Sequence, residues 1–190
     1  MPRGARKDPR LRRALRLLLL RGRSRPGVKG SELRKILGSD YNKVLMELNG
    51  KLSKLGLRVK AVLKRGEEVE LEDKEKLEDA WIGIVLSEEL VEEDLRSVGW
   101  RIDDLAVLAS TIVLALSLGG KVSRKNIVEL LRTKIPEWRI DVALDRFIKA
   151  GYLFEGEKDL IELGWRTYME VDVEKLIKML SYRPSKNQSA

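Results

Sequence analysis

The sequence predicts a mainly α-helical protein with small β-wings, built as two winged helix-turn-helix units in tandem. Between residues 105 and 163, three apolar or amphipathic helices precede a hairpin-like pair of strands, which is the order of a winged-helix domain. The first hundred residues repeat that order, and residues 28–37 align with residues 122–131 at a constant offset of 94. We therefore expect a basic arm at 1–8, winged-helix units at 9–98 and 99–182, and a flexible tail at 183–190.

The chain opens with a basic arm and an amphipathic helix. Residues 1–8 combine Pro, Gly and charged side chains, a composition typical of disorder. Pro9 is a favoured first-turn residue, and apolar side chains recur behind it at helical spacing to about Leu20. The expected buried stripe of this helix is Leu11, Ala14, Leu15 and Leu18. Gly, Ser and Pro at 21–27 predict a loop.

Two more helices are expected in the first unit. An amphipathic helix begins near Ser31 and ends at Gly38. Ser39 and Asp40 can cap a third helix, which ends at Gly56. The apolar stripe of that third helix is Val44, Leu45, Leu48, Leu52 and Leu55.

A wing should follow the third helix. Apolar and polar residues largely alternate over 57–64, which predicts a strand, and the run at 69–71 is its expected partner after the turn at 65–66. The charged residues 73–79 indicate a turn or a helical link. Ile and Val at 81–86 predict a further strand, and an acidic segment at 88–97 joins the units.

The second unit predicts the same succession. An almost wholly apolar helix at 105–118 ends at a Gly pair, and an extended step at 121–122 leads to an amphipathic helix from Ser123. Pro136 marks the turn before a third helix that ends at Gly151. Wing strands are expected at 152–155 and 160–163, followed by one helix over 164–182. Its apolar face would carry Trp165, Met169, Val173, Leu176, Ile177 and Leu180.

Several chemistries are excluded by the residues that the chain lacks. The sequence has no Cys and no His, which removes disulfides, thiolate metal sites and the usual general base. It has no Gly-rich phosphate loop of the Walker type, and its Glu clusters lie in polar linkers, where carboxylates are usually solvated. We therefore expect no cofactor, no metal, no small-molecule substrate and no enzymatic activity.

Nothing in the sequence predicts membrane insertion. The apolar run at 105–118 is shorter than the roughly 20 residues of a spanning helix. The Leu run at 17–20 lies between arginines, and no small-residue cleavage site follows it. We expect a soluble cytoplasmic protein, associated with the nucleoid if the source is prokaryotic. The 36% of charged residues is typical of a heat-adapted source.

The end of the second unit carries a family resemblance. Gly151-Tyr152-Leu153 opens the wing, and Gly164-Trp165-Arg166-Thr167-Tyr168-Met169-Glu170 opens the final helix. Together with the Leu-rich first helix, the aromatic-aliphatic strand at 81–86 and the Gly pair, these residues resemble the MAGE homology domain of melanoma-antigen proteins. That tandem winged-helix module also occurs in the third non-SMC subunit of the Smc five/six chromosome-maintenance complex.

The resemblance covers roughly residues 10–182. It implies a scaffold that grips a kleisin or another winged-helix protein and touches DNA. Trp165 stands where the family usually has proline, and the linkers are shorter than in the animal proteins. The RING of the sister subunit needs Cys and His ligands, so that activity is not implied here.

The excess of positive charge lies at the N-terminus. Residues 1–30 carry eleven Lys or Arg and one acid, whereas the rest of the chain carries 27 basic and 29 acidic residues. Flexible arginines release counterions at phosphates and bind duplex DNA without reading its sequence. Alternatively, the arm is a solubilising tail or meets an acidic partner. The candidates are Arg3, Arg6, Lys7, Arg10, Arg12 and Arg13.

Each helix-turn-helix adds candidate phosphate contacts. In the second unit some of the candidate Lys and Arg side chains share the third helix with Asp141 and Asp145, whose carboxylates would repel phosphate. We therefore do not expect this helix to read the base sequence of DNA. The second-unit candidates are Lys121, Arg124, Lys125, Arg132, Lys134, Arg139 and Arg146. The first-unit candidates are Lys43, Lys51 and Lys54. An ordinary solvated face is the alternative for both sets.

The apolar helix at 105–118 must be buried on several sides. It is either wedged between the two units or exposes part of its surface in a groove for a partner's helix. The groove candidates are Trp100, Leu108, Ile112 and Trp138, whereas Trp81 and Trp165 are expected in the core.

Three functions fit these patterns. The first is a non-enzymatic tandem winged-helix subunit of an SMC-type chromosome complex, which binds a kleisin-like or winged-helix partner and double-stranded DNA non-specifically. The alternative is a homodimeric winged-helix transcription regulator that binds DNA sequence-selectively. The third is a structural adaptor without nucleic acid.

Overall fold

The computed structural model describes residues 8–20, 27–88 and 101–181. Residues 8–20 and 27–88 form a first lobe and residues 101–181 a second, each with its own hydrophobic core. The predicted boundary at 98/99, the arm residues 1–7, the acidic segment 89–97 and the tail lie outside the described residues. The mainly helical fold with small antiparallel sheets, predicted from the order of elements, is confirmed.

The first lobe has the order of helices and strands of a winged helix. Helix α1 runs over Pro9–Leu20 as predicted, and α2 and α3 follow closely. The elements are α1 (Pro9–Leu20), β1 (Val28–Lys29), α2 (Gly30–Leu37), α3 (Tyr41–Leu52, extended by a 3-10 turn at Ser53–Leu55), β2 (Leu57–Val62), α4 (Lys74–Asp79) and β3 (Trp81–Leu86). Asp40 precedes α3, but its side chain makes no capping hydrogen bond there.

The wing of the first lobe pairs differently from the prediction. The sheet order is β1-β3-β2, and β2 pairs along its length with β3, from Leu57 opposite Leu86 to Val62 opposite Trp81. The predicted partner at 69–71 pairs with β2 only at its first residue, where the Val69 amide donates to the Ala61 carbonyl oxygen at 2.9 Å beside an isolated bridge between Glu68 and Val62. Val69 and Leu71 place their side chains in the core, and the longer apolar run at 81–86 forms the ladder with β2.

The charged segment before β3 forms the short helix α4. Asp73 accepts a hydrogen bond from the Lys76 backbone amide, which caps the helix. Leu77 is fully buried beneath it. A Cβ on Gly30 would lie 1.7 Å from the Leu77 carbonyl oxygen, so the start of α2 can approach α4 only with glycine at that position.

The second lobe repeats the first at the predicted offset. Its sheet has the order β4-β6-β5, the counterpart of β1-β3-β2, and α6 lies 94 residues after α2 at both ends. The elements are α5 (Ile102–Ser117), β4 (Lys121–Ser123), α6 (Arg124–Leu131), α7 (Glu137–Ala150), β5 (Leu153–Glu155), β6 (Leu160–Leu163), α8 (Trp165–Glu170) and α9 (Val173–Ser181). The predicted extended step and wing strands are confirmed.

The segment predicted as a single final helix over 164–182 forms two helices, α8 and α9. Val171 adopts extended backbone angles (φ −109°, ψ 131°) between α8 and α9. The Asp172 carboxylate then accepts a hydrogen bond from the Lys175 amide at 2.9 Å, which gives α9 a cap of its own. The break lets α8 lie across the first lobe while α9 continues separately.

The apolar helix α5 belongs to the second lobe. It packs on α6, α7, β4 and β6, with Val107, Leu108 and Ile112 in the second core. The interpretation of α5 as a wedge between the units is therefore wrong, and α8 takes that position. No helix among the described residues is long and apolar enough to cross a membrane.

Candidate protein and nucleic-acid interfaces

Two tryptophans from different lobes stack at the lobe seam, which we define as the contact of α8 with β2 and β3. The rings of Trp81 and Trp165 lie with centroids 4.7 Å apart and an interplanar angle of 9°. Both rings are partly buried. The prediction that they belong to the core needs correction, since they pack on each other between the lobes and on neither core. Such a pair stabilises by about 0.5–1.5 kcal/mol beyond the area it buries.

Small residues in the first lobe let α8 approach closely. A Cβ on Gly66 would lie 2.4 Å from the Tyr168 ring, and a Cβ on Gly83 would lie 2.5 Å from the Met169 sulfur. Beside them Lys60, whose side chain is 12% exposed, donates a hydrogen bond to the Tyr168 carbonyl oxygen at 3.0 Å. The seam is thus a fitted contact with a polar anchor.

Helix α8 is equally fixed to its own lobe. The Tyr152 hydroxyl donates to the Glu170 carboxylate, and the Thr167 hydroxyl donates to the Tyr152 carbonyl oxygen at 2.6 Å. Arg166 lies 4.4 Å from the Tyr152 ring centroid and donates to Glu170 at 2.6 Å. Burial, together with the Glu170 carboxylate, raises the pKa of Tyr152 well above its usual value. One short helix therefore sets the relation of the two lobes.

An acidic groove lies beside the seam, toward the Leu86 end of β3. It is a cavity of about 1270 Å³ with Ile84 and Val173 among its apolar lining residues. Its basic residues, Arg58 and Lys60, both contact Glu68, at 2.8 and 3.4 Å. Besides Glu68, five carboxylates line the groove: Glu67, Glu88, Glu170, Asp172 and Glu174.

Helix α1 presents unpaired arginines. Arg12 and Arg13 are exposed and have no ion-pair partner among the described residues, whereas Arg10 donates to the Leu37 carbonyl oxygen at 2.5 Å. Arg16, which the prediction omitted, lies one turn after Arg12 and is exposed as well. We call Arg12, Arg13 and Arg16 the arginine face. Arg3, Arg6 and Lys7 lie outside the described residues.

The lysines of α3 and its 3-10 extension differ in whether a carboxylate binds them. Lys43 and Lys54 are exposed and have no ion-pair partner in the described part of the chain. Lys51 is bound by Glu47 at 2.7 Å, one helical turn away. Only the first two can add free charge to the arginine face, whose helix packs against α3.

Most of the Lys and Arg side chains predicted to contact phosphate in the second lobe are neutralised by carboxylates. Arg124, whose side chain is 23% exposed, contacts Asp141, Asp145 and Glu155 at 3.2, 2.9 and 3.2 Å. The two aspartates expected to repel phosphate therefore hold this arginine. Among the others, Lys121 contacts Glu162 at 2.7 Å, Arg139 contacts Asp103 at 3.0 Å, Arg146 contacts Asp104 at 2.7 Å, and Lys125 lies 4.0 Å from Glu129.

Two of the predicted phosphate contacts in the second lobe have no carboxylate beside them among the described residues. Arg132 and Lys134 are exposed between α6 and α7 and have no ion-pair partner where the structure describes the chain. Among the described helices, α1 therefore carries the most cations without an ion-pair partner. No local pattern indicates the partners of Arg124, which lie 17, 21 and 31 residues away in the chain.

The predicted partner groove is only partly accessible. Leu108 and Ile112 are 8% and 3% exposed and belong to the second core, so they offer a partner little surface. Trp138 is 68% exposed, and Trp100 lies outside the described residues. The accessible apolar side chains of α5 lie on its other face, at Ile102 (84% exposed) and Leu105 (43% exposed).

An apolar patch results where α5 meets α7. The ion pairs Asp103–Arg139 and Asp104–Arg146 join the two helices. Each helix also carries two exposed apolar side chains within three residues of its ion-paired residues in sequence. We define the apolar patch as Ile102, Leu105, Trp138 and Val142, the last 51% exposed.

No family model matches the sequence, and no curated protein matches it. A chain of a solved structure, the Nse1-Nse3-Nse4 complex, is similar to this one with a TM-score of 0.71 at 15% identity. The likeness is one of fold. It covers 93% of this chain and 77% of that chain, and so includes both lobes. It supports the MAGE-like fold expected from the closing motif of the second lobe.

The described residues offer no metal site. No group of three or more Asp or Glu side chains among them could hold a metal ion. The surfaces with distinct chemistry are the seam with its acidic groove, the arginine face and the apolar patch.

Proposed function

We propose that the chain is a non-enzymatic tandem winged-helix subunit of an SMC-type chromosome-maintenance complex, resembling the MAGE-domain subunit. The observation that carries the proposal is the fold likeness to a chain of the Nse1-Nse3-Nse4 complex, which extends over both lobes. The seam supports the same proposal, because a fixed pair of lobes is suited to a scaffold. The protein would act in the cytoplasm, at the nucleoid if the source is prokaryotic.

Its protein partner would be a kleisin-like subunit or another winged-helix protein. The apolar patch supports this, because exposed Trp and Ile side chains on paired helices are the surface that a partner's amphipathic helix covers. Trp138 would be the central contact, since buried Trp side chains dominate the binding free energy of many interfaces.

The partner proposal is tested by affinity purification of the tagged full-length chain from its own cells. A kleisin-like or winged-helix protein should be recovered with the wild type and lost with Trp138→Ala. The matched control is Leu130→Ala, which removes an apolar side chain 54% exposed on α6, away from the patch. Equal recovery with both variants would place the interface elsewhere, and recovery of no such protein would refute the proposal.

The chain would also contact double-stranded DNA without reading its sequence. The arginine face supports this, because Arg12 and Arg13 are exposed and free of carboxylates in the described part of the chain. Each phosphate contact contributes about −0.9 to the slope of log K against log salt concentration. Removing both arginines should therefore reduce the slope by about 1.8 if each binds one phosphate.

The DNA proposal is tested by salt titration of duplex binding with Arg12→Ala/Arg13→Ala. The matched control is Arg132→Ala/Lys134→Ala, which removes two unpaired charges from the second lobe. A reduced slope in the control alone would move the DNA contact to the second lobe. An unchanged slope in both doubles would leave duplex binding without support from the described residues.

The transcription-regulator alternative is less well supported by the geometry. In a winged helix the third helix lies near the major groove, and here its residues Asp141 and Asp145 bind Arg124 at the surface. An acidic third helix whose neighbouring arginine is neutralised is poorly suited to base reading.

A further inference from the structure

A second groove lies at the lobe seam, toward the Trp81 end of β3, whereas the acidic groove lies toward the Leu86 end. It is a cavity of about 800 Å³ bounded by the end of β3 in the first lobe and by α7, β5 and α8 in the second. The stacked Trp81 and Trp165 belong to its lining, with Phe154 and Leu163. We call it the basic aromatic groove.

Positive charge surrounds this groove. Lys29, Lys64, Arg65 and Lys149 line it, and all four side chains are exposed. None of the four has an ion-pair partner among the described residues. The carboxylates of the lining are Asp79 and Glu162, and Glu162 is bound by Lys121 at 2.7 Å. With four cations and two carboxylates, one of them bound by Lys121, the lining of the groove carries a net positive charge.

An exposed aromatic ring lies among these charges. Phe154 is 44% exposed on β5, the edge strand of its sheet. The Lys64 ammonium lies 4.5 Å from its ring centroid, and Lys29 lies 5.8 Å from the centroid of Trp81. A ring that is open to solvent beside a lysine offers a stacking surface and a phosphate contact within one side-chain length of each other.

We propose that the basic aromatic groove binds single-stranded nucleic acid. A base would stack on Phe154, and the adjoining phosphates would meet Lys64, Arg65 and Lys149. A single strand supplies planar bases and regularly spaced phosphates together. A duplex keeps its bases stacked inside and could offer this groove only phosphates. The site is separate from the arginine face, and its argument does not depend on the protein partner.

An acidic peptide is the other ligand with suitable charge. It would satisfy the four cations but would use Phe154 only through an occasional apolar side chain. The exposed ring beside Lys64 therefore favours a single strand, and the peptide becomes an outcome of the test.

The test is fluorescence anisotropy of the full-length chain with a labelled oligothymidine of about 12 nucleotides, within the usual range of site sizes. Phe154→Ala should weaken binding by about tenfold, the loss expected for one stacked base. Phe154→Tyr keeps a stacking ring and should bind like the wild type. Leu130→Ala, which removes a 54% exposed apolar side chain from α6, outside the groove lining, is the matched control and should change nothing.

Three results would overturn the proposal. The first is an absence of wild-type binding at low salt, and the second is equal binding by Phe154→Ala and the wild type. The third is displacement of the oligothymidine by oligoglutamate at equal charge concentration with the same dependence on Phe154, which would identify acidic protein as the ligand. Phe154 is 44% exposed and belongs to neither hydrophobic core, so circular dichroism of Phe154→Ala should match the wild type. A loss of binding would then not come from unfolding.

Discussion

Truncation of the seam tryptophans measures how far the two lobes depend on each other. Replacement of a fully buried Trp by Ala costs about 3–5 kcal/mol. Trp81 and Trp165 are only partly buried, so we expect about 2 kcal/mol from each single replacement. Because the rings stack at 4.7 Å, the double variant should cost less than the sum of the two single variants. The coupling expected for a stacked pair is about 0.5–1.5 kcal/mol.

The assay is urea denaturation of Trp81→Ala, Trp165→Ala and the double variant, followed by far-ultraviolet circular dichroism. With a slope of about 2 kcal/mol per molar urea, each single variant should lower the midpoint by about 1 M. Trp138→Ala is the matched control, because it removes an exposed ring and should change stability by less than about 0.5 kcal/mol. A coupling of zero, or a control that costs as much as Trp165→Ala, would refute the stacked seam.

Two further perturbations test single contacts. Gly30→Ala should lower the free energy of unfolding of the first lobe by at least about 3 kcal/mol, measured in denaturant, because the new Cβ meets the Leu77 carbonyl. The control is Gly50→Ala, in open space on α3, which should be neutral or stabilise by up to about 1 kcal/mol. Burial and Glu170 raise the pKa of Tyr152 in the folded state, so folded protein holds that proton after unfolded protein has lost it. Stability should fall as pH rises above about 10, less steeply in Tyr152→Phe; equal slopes would contradict the role of this hydroxyl.

The elements that followed from local pattern were predicted well. Helix α1 matches its apolar stripe from Pro9 to Leu20, and the repeat placed α2 and α6 at the same offset. These features depend on residues within one or two turns of each other, which a single sequence records directly.

Local patterns did not indicate which strands pair or which face of a helix is buried. Both 69–71 and 81–86 follow β2 with apolar side chains, and no local pattern indicates that β2 pairs along its length with 81–86 and at only one bridge with the segment before Val69. Helix α5 is apolar nearly all round, so nothing in its sequence shows that Leu108 faces the core while Leu105 faces solvent.

Contacts between distant residues account for the other differences. Trp81 and Trp165 lie in different lobes, and no local pattern indicates that their rings stack. The neutralisation of Arg124 likewise depends on three residues from two elements. The predicted interfaces therefore needed more correction than the predicted fold.

The most direct test of the central claim is calorimetric titration of the purified full-length chain with the kleisin-like subunit encoded beside an SMC-type ATPase in the same genome. We expect a one-to-one complex whose affinity falls at least tenfold with Trp138→Ala and stays unchanged with Leu130→Ala. Absence of heat with any kleisin-like subunit, together with selective binding of a two-fold DNA operator, would contradict the scaffold role.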